Sequence, residues 1–269
     1  TVRTWSVTEK RQLKALVLDC MARAAAYNPE GTLIAVGLGG DLGTGGPRAP
    51  KEGGVVVLNA PDLTVVWEGK DAKEWISDLK FSPDGNALAV GSHDNNIYLY
   101  NTSPEWGLRA TLEGHNSYIT HLDFTADGAA LRSTCGAYEL LFWDAAEGEQ
   151  KPSGASELRD AEWDTTTCPL TWDTQGVFPA FADGTDVNAV DRAKEGKLLA
   201  TSDDFGRLKL FNWPCATKGA GFDDCRGHSS HVTNVKFTLD ERNIVTAGGN
   251  DRCVFQWDLA LDEAEDSGE

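Results

Sequence analysis

The 269-residue chain carries 42 acidic against 24 basic side chains, and no basic cluster interrupts the resulting formal charge of −18; such a surface repels nucleic acid and anionic membranes, whose binding rests on neutralising phosphate. No apolar run reaches the ~20 residues that cross a bilayer, and TVRTWSVTEKRQ at the start holds no apolar leader-like segment, so a cytoplasmic protein is expected. Six scattered cysteines form no C-x-x-C pair, which signals neither a zinc knuckle nor a redox dithiol and leaves buried reduced thiols as the expectation.

In chain order, TVRTWS (1–6) reads as a closing strand with no partner before it, and ARAAAYNPEGTLIAVGLGG (22–40) as two strands around a turn. A Gly/Pro insertion, GLGGDLGTGGPRAPKEGG (37–54), delays the next strand, GGVVVLN (53–59). Its glycines are dense enough for a phosphate cradle, but that loop must open a helix and here a strand follows, so a long hairpin loop is expected. WISDLKFSPDGNALAVGSHDNNIYLYN (75–101) then sets the pattern. An apolar strand ends at a Pro/Asp/Gly turn, a second strand is apolar on both faces, and a polar turn with an Asp precedes an aromatic closing strand.

The same pattern returns in YITHLDFTADGAALRSTCGAYELLFWD (118–144), in VNAVDRAKEGKLLATSDDFGRLKLFN (187–212) and in HVTNVKFTLDERNIVTAGGNDRCVFQWD (231–258). The closing pairs are Trp5-Ser6, Leu58-Asn59, Tyr100-Asn101, Trp143-Asp144, Phe211-Asn212 and Trp257-Asp258, spaced 53, 42, 43, 68 and 46 residues apart. A period near 42–46 with four short strands per unit is that of a propeller blade. The expected architecture is all-β: about five four-stranded repeats (11–60, 61–102, 103–145, 146–214 and 215–259) plus one extra N-terminal strand, followed by a solvated acidic tail at 261–269. Because a closed ring of seven such blades takes about 300 residues, the chain is expected to be a segment of a longer protein that supplies the missing strands.

These repeats resemble the WD-repeat family. That resemblance implies a hydrogen-bonded set in which a Gly-His before the first strand, an Asp in the last turn and the closing Trp pin one blade. Gly114-His115 and Gly227-His228 match the first element, and Asp251 and Trp257 complete the last unit. The other units carry Leu58, Tyr100 or Phe211 for Trp, and Gly136-Ala137 where an Asp would sit, so they are expected to lean on apolar packing.

More narrowly, AVGSHDNNIYLYN (89–101), the run from GHNSYITHLDF to GAYELLFWD (114–144), DGTDVNAV (183–190), SDDFGRLKLFNWPC (202–215) and GHSSHVTNVKF (227–237) resemble the echinoderm microtubule-associated-protein-like family. The resemblance implies tandem propellers that bind tubulin and associate with microtubules, hence a cytoskeletal location, the ciliary axoneme included. Tubulin's surface is also acidic, so binding by this segment is expected to be short-range and shape-driven. The alternative is a general adaptor propeller recognising a peptide or a modified side chain at its central opening.

No catalytic, cofactor-binding or metal site is expected, and a non-enzymatic scaffold follows. His228 and His231 lack the H-E-x-x-H helix of a metal pair, Ser229 and Ser230 lack a nucleophile elbow, and Asp183, Asp186, Asp203 and Asp204 are turn-formers without EF-hand spacing. The unusual segment is 146–185, which lengthens the fourth unit to 68 residues with large aromatics among Pro and Asp. Additional strands packed on the blade are expected there, and Trp163, Trp172, Phe178 and Phe181 are the candidate partner-binding residues, because exposed aromatics concentrate binding energy.

Overall fold

The computed structural model describes residues 1–40, 51–178, 186–195 and 197–260. Two compact units divide the chain after Cys168. In the first, β1 (Val2–Ser6) pairs with β2 (Arg11–Leu16), and two four-stranded antiparallel sheets follow. One comprises β3 (Ala22–Tyr27), β4 (Leu33–Leu38), β5 (Val55–Asn59) and β6 (Val65–Gly69). The other comprises β7 (Ile76–Phe81), β8 (Ala87–Ser92), β9 (Ile97–Asn101) and β10 (Gly107–Leu112). A three-stranded sheet of β11 (Ile119–Phe124), β12 (Ala130–Cys135) and β13 (Leu140–Asp144) completes this unit. The second unit holds a four-stranded sheet, β14 (Val187–Arg192), β15 (Leu198–Asp203), β16 (Arg207–Asn212) and β17 (Phe222–Arg226). Its other sheet has three strands, β18 (Val232–Phe237), β19 (Asn243–Gly248) and β20 (Val254–Asp258).

Strand order within each sheet follows chain order, because short turns can join only antiparallel neighbours. Ser82 shows how such a turn is made: its hydroxyl bonds Asp84 Oδ1 and accepts the Ala87 amide, with Gly85 at φ +72°. Thr125 with Asp127 and Thr238 with Asp240 repeat that arrangement. In the last copy Glu241 takes the positive-φ position, at +52°, that Gly85 and Gly128 hold elsewhere.

The middle strands β4, β5, β8 and β9 are buried on both faces, as their near-continuous apolar runs require. Ala35, Val55 and Val57 meet Ile76, Leu88 and Tyr100 in one core between consecutive sheets; Ala89, Ile97 and Leu99 meet Leu122, Phe124 and Trp143 in the next. Ile76 drives into the second strand of the sheet before it so closely that a Cβ on Gly37 would sit 2.5 Å from its Cγ2. Ile119 treats Gly91 the same way, at 2.6 Å.

Each first strand of these five sheets carries a register shift at its second residue: Arg23, Ser77, Thr120, Asn188 and Thr233 are skipped in the pairing. All five are polar, which suits a residue freed from the ladder at a bulge. Two of them tie sheets together. Ser77 Oγ donates to Ile119 O (2.6 Å) and Asn188 Nδ2 to Val232 O (3.0 Å), the first residue of the next sheet in both cases.

The closing tryptophans anchor the expected polar sets. Trp257 Nε1 donates to Thr246 Oγ1 (2.9 Å), which also bonds His228 Nε2 (2.8 Å), while His228 Nδ1 faces Asp251 Oδ2 at 2.8 Å. In the third sheet Trp143 Nε1 and His115 Nε2 converge on Ser133 Oγ at 2.8 and 2.6 Å. Its carboxylate comes from Glu139, two residues beyond Gly136-Ala137, where the longer arm makes up for the displacement. Apolar packing alone does not close the second four-stranded sheet either, since Tyr100 donates to Asp71 (2.7 Å) and Tyr98 to Asp94 (2.8 Å). Leu58 and Phe211, without a polar side-chain atom, are simply buried in apolar cores.

The 146–214 repeat departs from the expected four strands and has three, β14 to β16, among the described residues. Where added strands were expected there is a helical turn, α1 (Gly154–Glu157), a 3-10 turn (Trp172–Val177) and isolated bridges from Gln150 to Trp143 and from Trp163 to Thr125. Residues 41–50 of the Gly/Pro insertion, Asp183 and the acidic tail lie outside the described residues.

Thr246→Val leaves the Trp257 and His228 ring nitrogens without their shared hydroxyl, and is expected to lower the unfolding free energy by about 1–3 kcal/mol in urea titration. Thr111→Val, on the exposed side of β10, is expected to stay within about 0.5 kcal/mol of the parent.

Candidate partner-binding surface

The unusual segment explains itself through one row of side chains. Asp123, Arg132 and Phe142 lie opposite one another across β11, β12 and β13. Alternation turns them away from Leu122, Leu131 and Trp143, which pack toward the preceding sheet. At the position of Arg132 three of the other second strands carry Ala35, Ala89 and Ala200, each fully buried between sheets, and β19 carries Val245. A guanidinium there cannot be covered by the same aliphatic packing. Residues 146–168 cover it instead.

The segment crosses the sheet face from its outer edge to its inner one. Gln150 bridges Trp143, and Gly154, opening α1, presses on Phe142 so closely that a Cβ would lie 2.3 Å from the Phe142 Cβ. Trp163, only 7% exposed, then lies 4.1 Å over the Arg132 guanidinium, with the Phe142 ring at 6.2 Å. The π face covers a guanidinium whose Nη2 has no hydrogen-bond partner among the described residues. Finally Thr165 Oγ1, Thr167 Oγ1 and the amides of Thr167 and Cys168 all donate to the Asp123 carboxylate, which Arg132 Nε also reaches at 3.1 Å.

Burial alone would raise the Asp123 pKa. The charges of Arg132 and Lys80 and the four donors from the segment prevail, and it stays below the usual carboxylate value. Lys80, itself bonded to Asp78 at 2.8 Å, is penalised by burial but held above its ordinary value by Asp78 and Asp123. Two acids and two bases balance in this interior, so no net charge is left in it. The four-donor grip on Asp123 was not foreseen from sequence; the cue was a basic residue where the other repeats have Ala or Val.

Of the four expected partner-binding residues, Trp163 therefore belongs to the core of the first unit. Trp172 and Phe178 belong to the second unit, and Phe181 lies outside the described residues. Phe178 is half-buried against the cluster of Val177, Val187, Leu199 and Phe211. Trp172 is 67% exposed on the 3-10 turn, which is fixed from both sides because Gly176 N donates to Cys215 O and Cys215 N to Asp173 O.

The first unit carries a second aromatic surface. Arg23 lies 4.9 Å over Trp75, whose ring stacks on His93 at 3.3 Å, and His93 stacks on Tyr118 at 4.3 Å. The stack runs along the starts of β3, β7 and β11 and ends at Tyr118, 39% exposed. Burial, with the Arg23 charge, lowers the His93 pKa to about 4, so its ring is neutral at pH 7.

Compared with known proteins, residues 1–259 match the family model described as the echinoderm microtubule-associated protein second beta-propeller. The chain is 40% identical over 260 residues to human echinoderm microtubule-associated protein-like 2, covering 95% of this chain and 38% of that protein. It is 38% identical to rat echinoderm microtubule-associated protein-like 1 (94% of this chain, 30% of the relative) and 36% identical to the 77 kDa echinoderm microtubule-associated protein of Strongylocentrotus purpuratus (95% and 36%). The chain thus spans about a third of the length of these relatives. A chain in a crystal structure of the mitotic checkpoint complex superposes with a TM-score of 0.70 at 15% identity, over 96% of this chain and 81% of that one, which shows the shared propeller fold alone.

Asp123→Ala strands a buried guanidinium and is expected to cost about 3–5 kcal/mol, whereas replacing Asp123 and Arg132 together by leucines is expected to cost less than that single change. In the parent, hydrogen exchange read at the Thr167 and Cys168 amides should follow the depressed Asp123 pKa. Protection is complete above about pH 4, the ordinary carboxylate value, and is lost as pH falls through the lower native value.

Proposed function

The chain belongs to the echinoderm microtubule-associated protein family as its second β-propeller, and from that premise we propose that it is a non-enzymatic scaffold that contacts tubulin, in microtubules or as the free dimer. The observation that supports this reading best is the pairing of a −18 chain with fixed, exposed aromatics. With both partners acidic, charge steering gives nothing, and affinity has to come from short-range burial of rigid side chains. Tyr118 at the end of its stack and Trp172 on its stapled turn are the side chains built for that. Aromatic rings held in place lose little conformational freedom on contact and concentrate binding energy. The protein then works in the cytoplasm on the microtubule cytoskeleton, the ciliary axoneme among its sites.

Co-sedimentation with microtubules, alongside gel filtration with unpolymerised tubulin, tests this at low and physiological salt. Binding that changes little with salt is expected, with Tyr118→Ala or Trp172→Ala each weakening it about 30-fold if it is a hot spot worth ~2 kcal/mol. A steep loss with salt would mean that basic contacts carry the affinity. Failure of a folded sample to bind in either assay would remove the tubulin contact from this propeller.

A further inference from the structure

The two closing-Trp sets differ at one place, and the difference has the form of a metal site. In the last sheet the residue facing the His–carboxylate pair is Gly248; a Cβ there would lie 1.9 Å from Asp251 Oδ1 and 2.5 Å from His228 Nδ1. That pair is closed, at 2.8 Å. In the third sheet the equivalent residue, paired with the first residue of β11 as Gly248 is with that of β18, is Cys135. Here the carboxylate is carried by the longer Glu139, and the pair is open: His115 Nδ1 stands 3.4 Å from Glu139 Oε2, and Cys135 Sγ stands 3.2 Å from the same oxygen. The imidazole nitrogen, the thiol and the carboxylate lie within 4.8 Å of one another.

We propose that His115 Nδ1, Cys135 Sγ and Glu139 Oε2 form a binding site for a zinc-class divalent ion. Tetrahedral zinc, with bonds of about 2.1 Å to nitrogen and oxygen and about 2.3 Å to sulfur, sets its ligand atoms about 3.4–3.6 Å apart. The two separations to Glu139 Oε2, 3.4 and 3.2 Å, need only a few tenths of an ångström of movement, and His115 Nδ1 and Cys135 Sγ lie within 4.8 Å of each other. The ligands are also oriented from behind. Ser133 fixes the His115 ring through Nε2 and is itself held by Trp143, while the Asn116 amide and side chain hold Glu139. Cys135 and the His115 side chain are buried, but Glu139 is partly exposed beside exposed Asn116 and Tyr138, which gives the ion a way in and a solvent molecule the fourth position.

Protonation states suit the exchange. Burial keeps His115 neutral, and the two Asn116 hydrogen bonds hold Glu139 at about 2, ionised at pH 7. Burial also raises the Cys135 thiol, so the ion must displace its proton. Ligation through Nδ1 requires the ring proton on Nε2, where Ser133 Oγ accepts it on a lone pair beside that used by Trp143. The net release is the single thiol proton, and the thiolate and Glu139 carboxylate together cancel the ion's charge.

Cobalt(II), which reports thiolate ligation by a charge-transfer band that zinc lacks, is the probe for the purified chain. One equivalent is expected to give that band, stronger as pH rises and abolished by added zinc. Cys135→Ser should remove the band, Cys253→Ser should keep it, and Glu139→Gln should weaken cobalt affinity by at least about tenfold. A folded parent chain without the band, or a band that survives Cys135→Ser, would overturn the proposal. Should Cys135→Ser fail to fold, Glu139→Gln decides: unchanged affinity overturns the site, weakened affinity supports it.

Discussion

A small sheet that is apolar on both faces cannot be satisfied by folding on itself, and every arrangement in this molecule answers that constraint. The middle strands leave no polar side for water, so each sheet must meet another, face to face, at a spacing set by side chains no larger than the gap. Gly37 and Gly91 mark how tight that gap is, because each admits the isoleucine that opens the following sheet. Once sheets are this close, polar groups at their starts find partners across the gap. The skipped residues Ser77 and Asn188 show it by bonding carbonyls of the neighbouring sheet.

The third sheet shows what happens when the constraint is met another way. Arg132 replaces an alanine on a face that must be covered, and the chain spends residues 146–168 covering it. The cover is chemically matched: an indole for the guanidinium face, four donors for the carboxylate, a glycine over Phe142. Taking a charge pair out of water is costly unless its remaining valences are filled, and here the segment fills them. The length of the fourth repeat and the charge in the second strand of the sheet before it are therefore one feature.

Much of this was legible in the residues. Alternating apolar runs, the SPDG-type turns and the closing aromatics placed the strands, because each of those signals acts locally. The last polar set was legible too, down to His228, Asp251 and Trp257. Glu139 escaped because its role depends on side-chain length and not on a fixed offset. Trp163 was grouped with Trp172 on aromatic character alone, and only the partner beneath a ring separates a core side chain from a surface one. The bulges were written five times as a polar second residue, but a period-2 reading steps over the residue that breaks the period. His115, Cys135 and Glu139 escaped because their convergence is made across a sheet and not by spacing along it.

The sequence repeat and the hydrogen-bonded sheet are out of phase by one strand. The unit 61–102, for example, holds β6, which pairs with the preceding sheet, together with β7 to β9 of the following one. Under tension this becomes a matter of load sharing. A pull along the chain between β6 and β7 enters one sheet at its outer edge and the next at its inner edge, where the neighbouring sheet grips it. The outer strand, held by a single ladder, yields first and spares the packed inner edge. The chain then extends by releasing edge strands one at a time, keeping its cores intact.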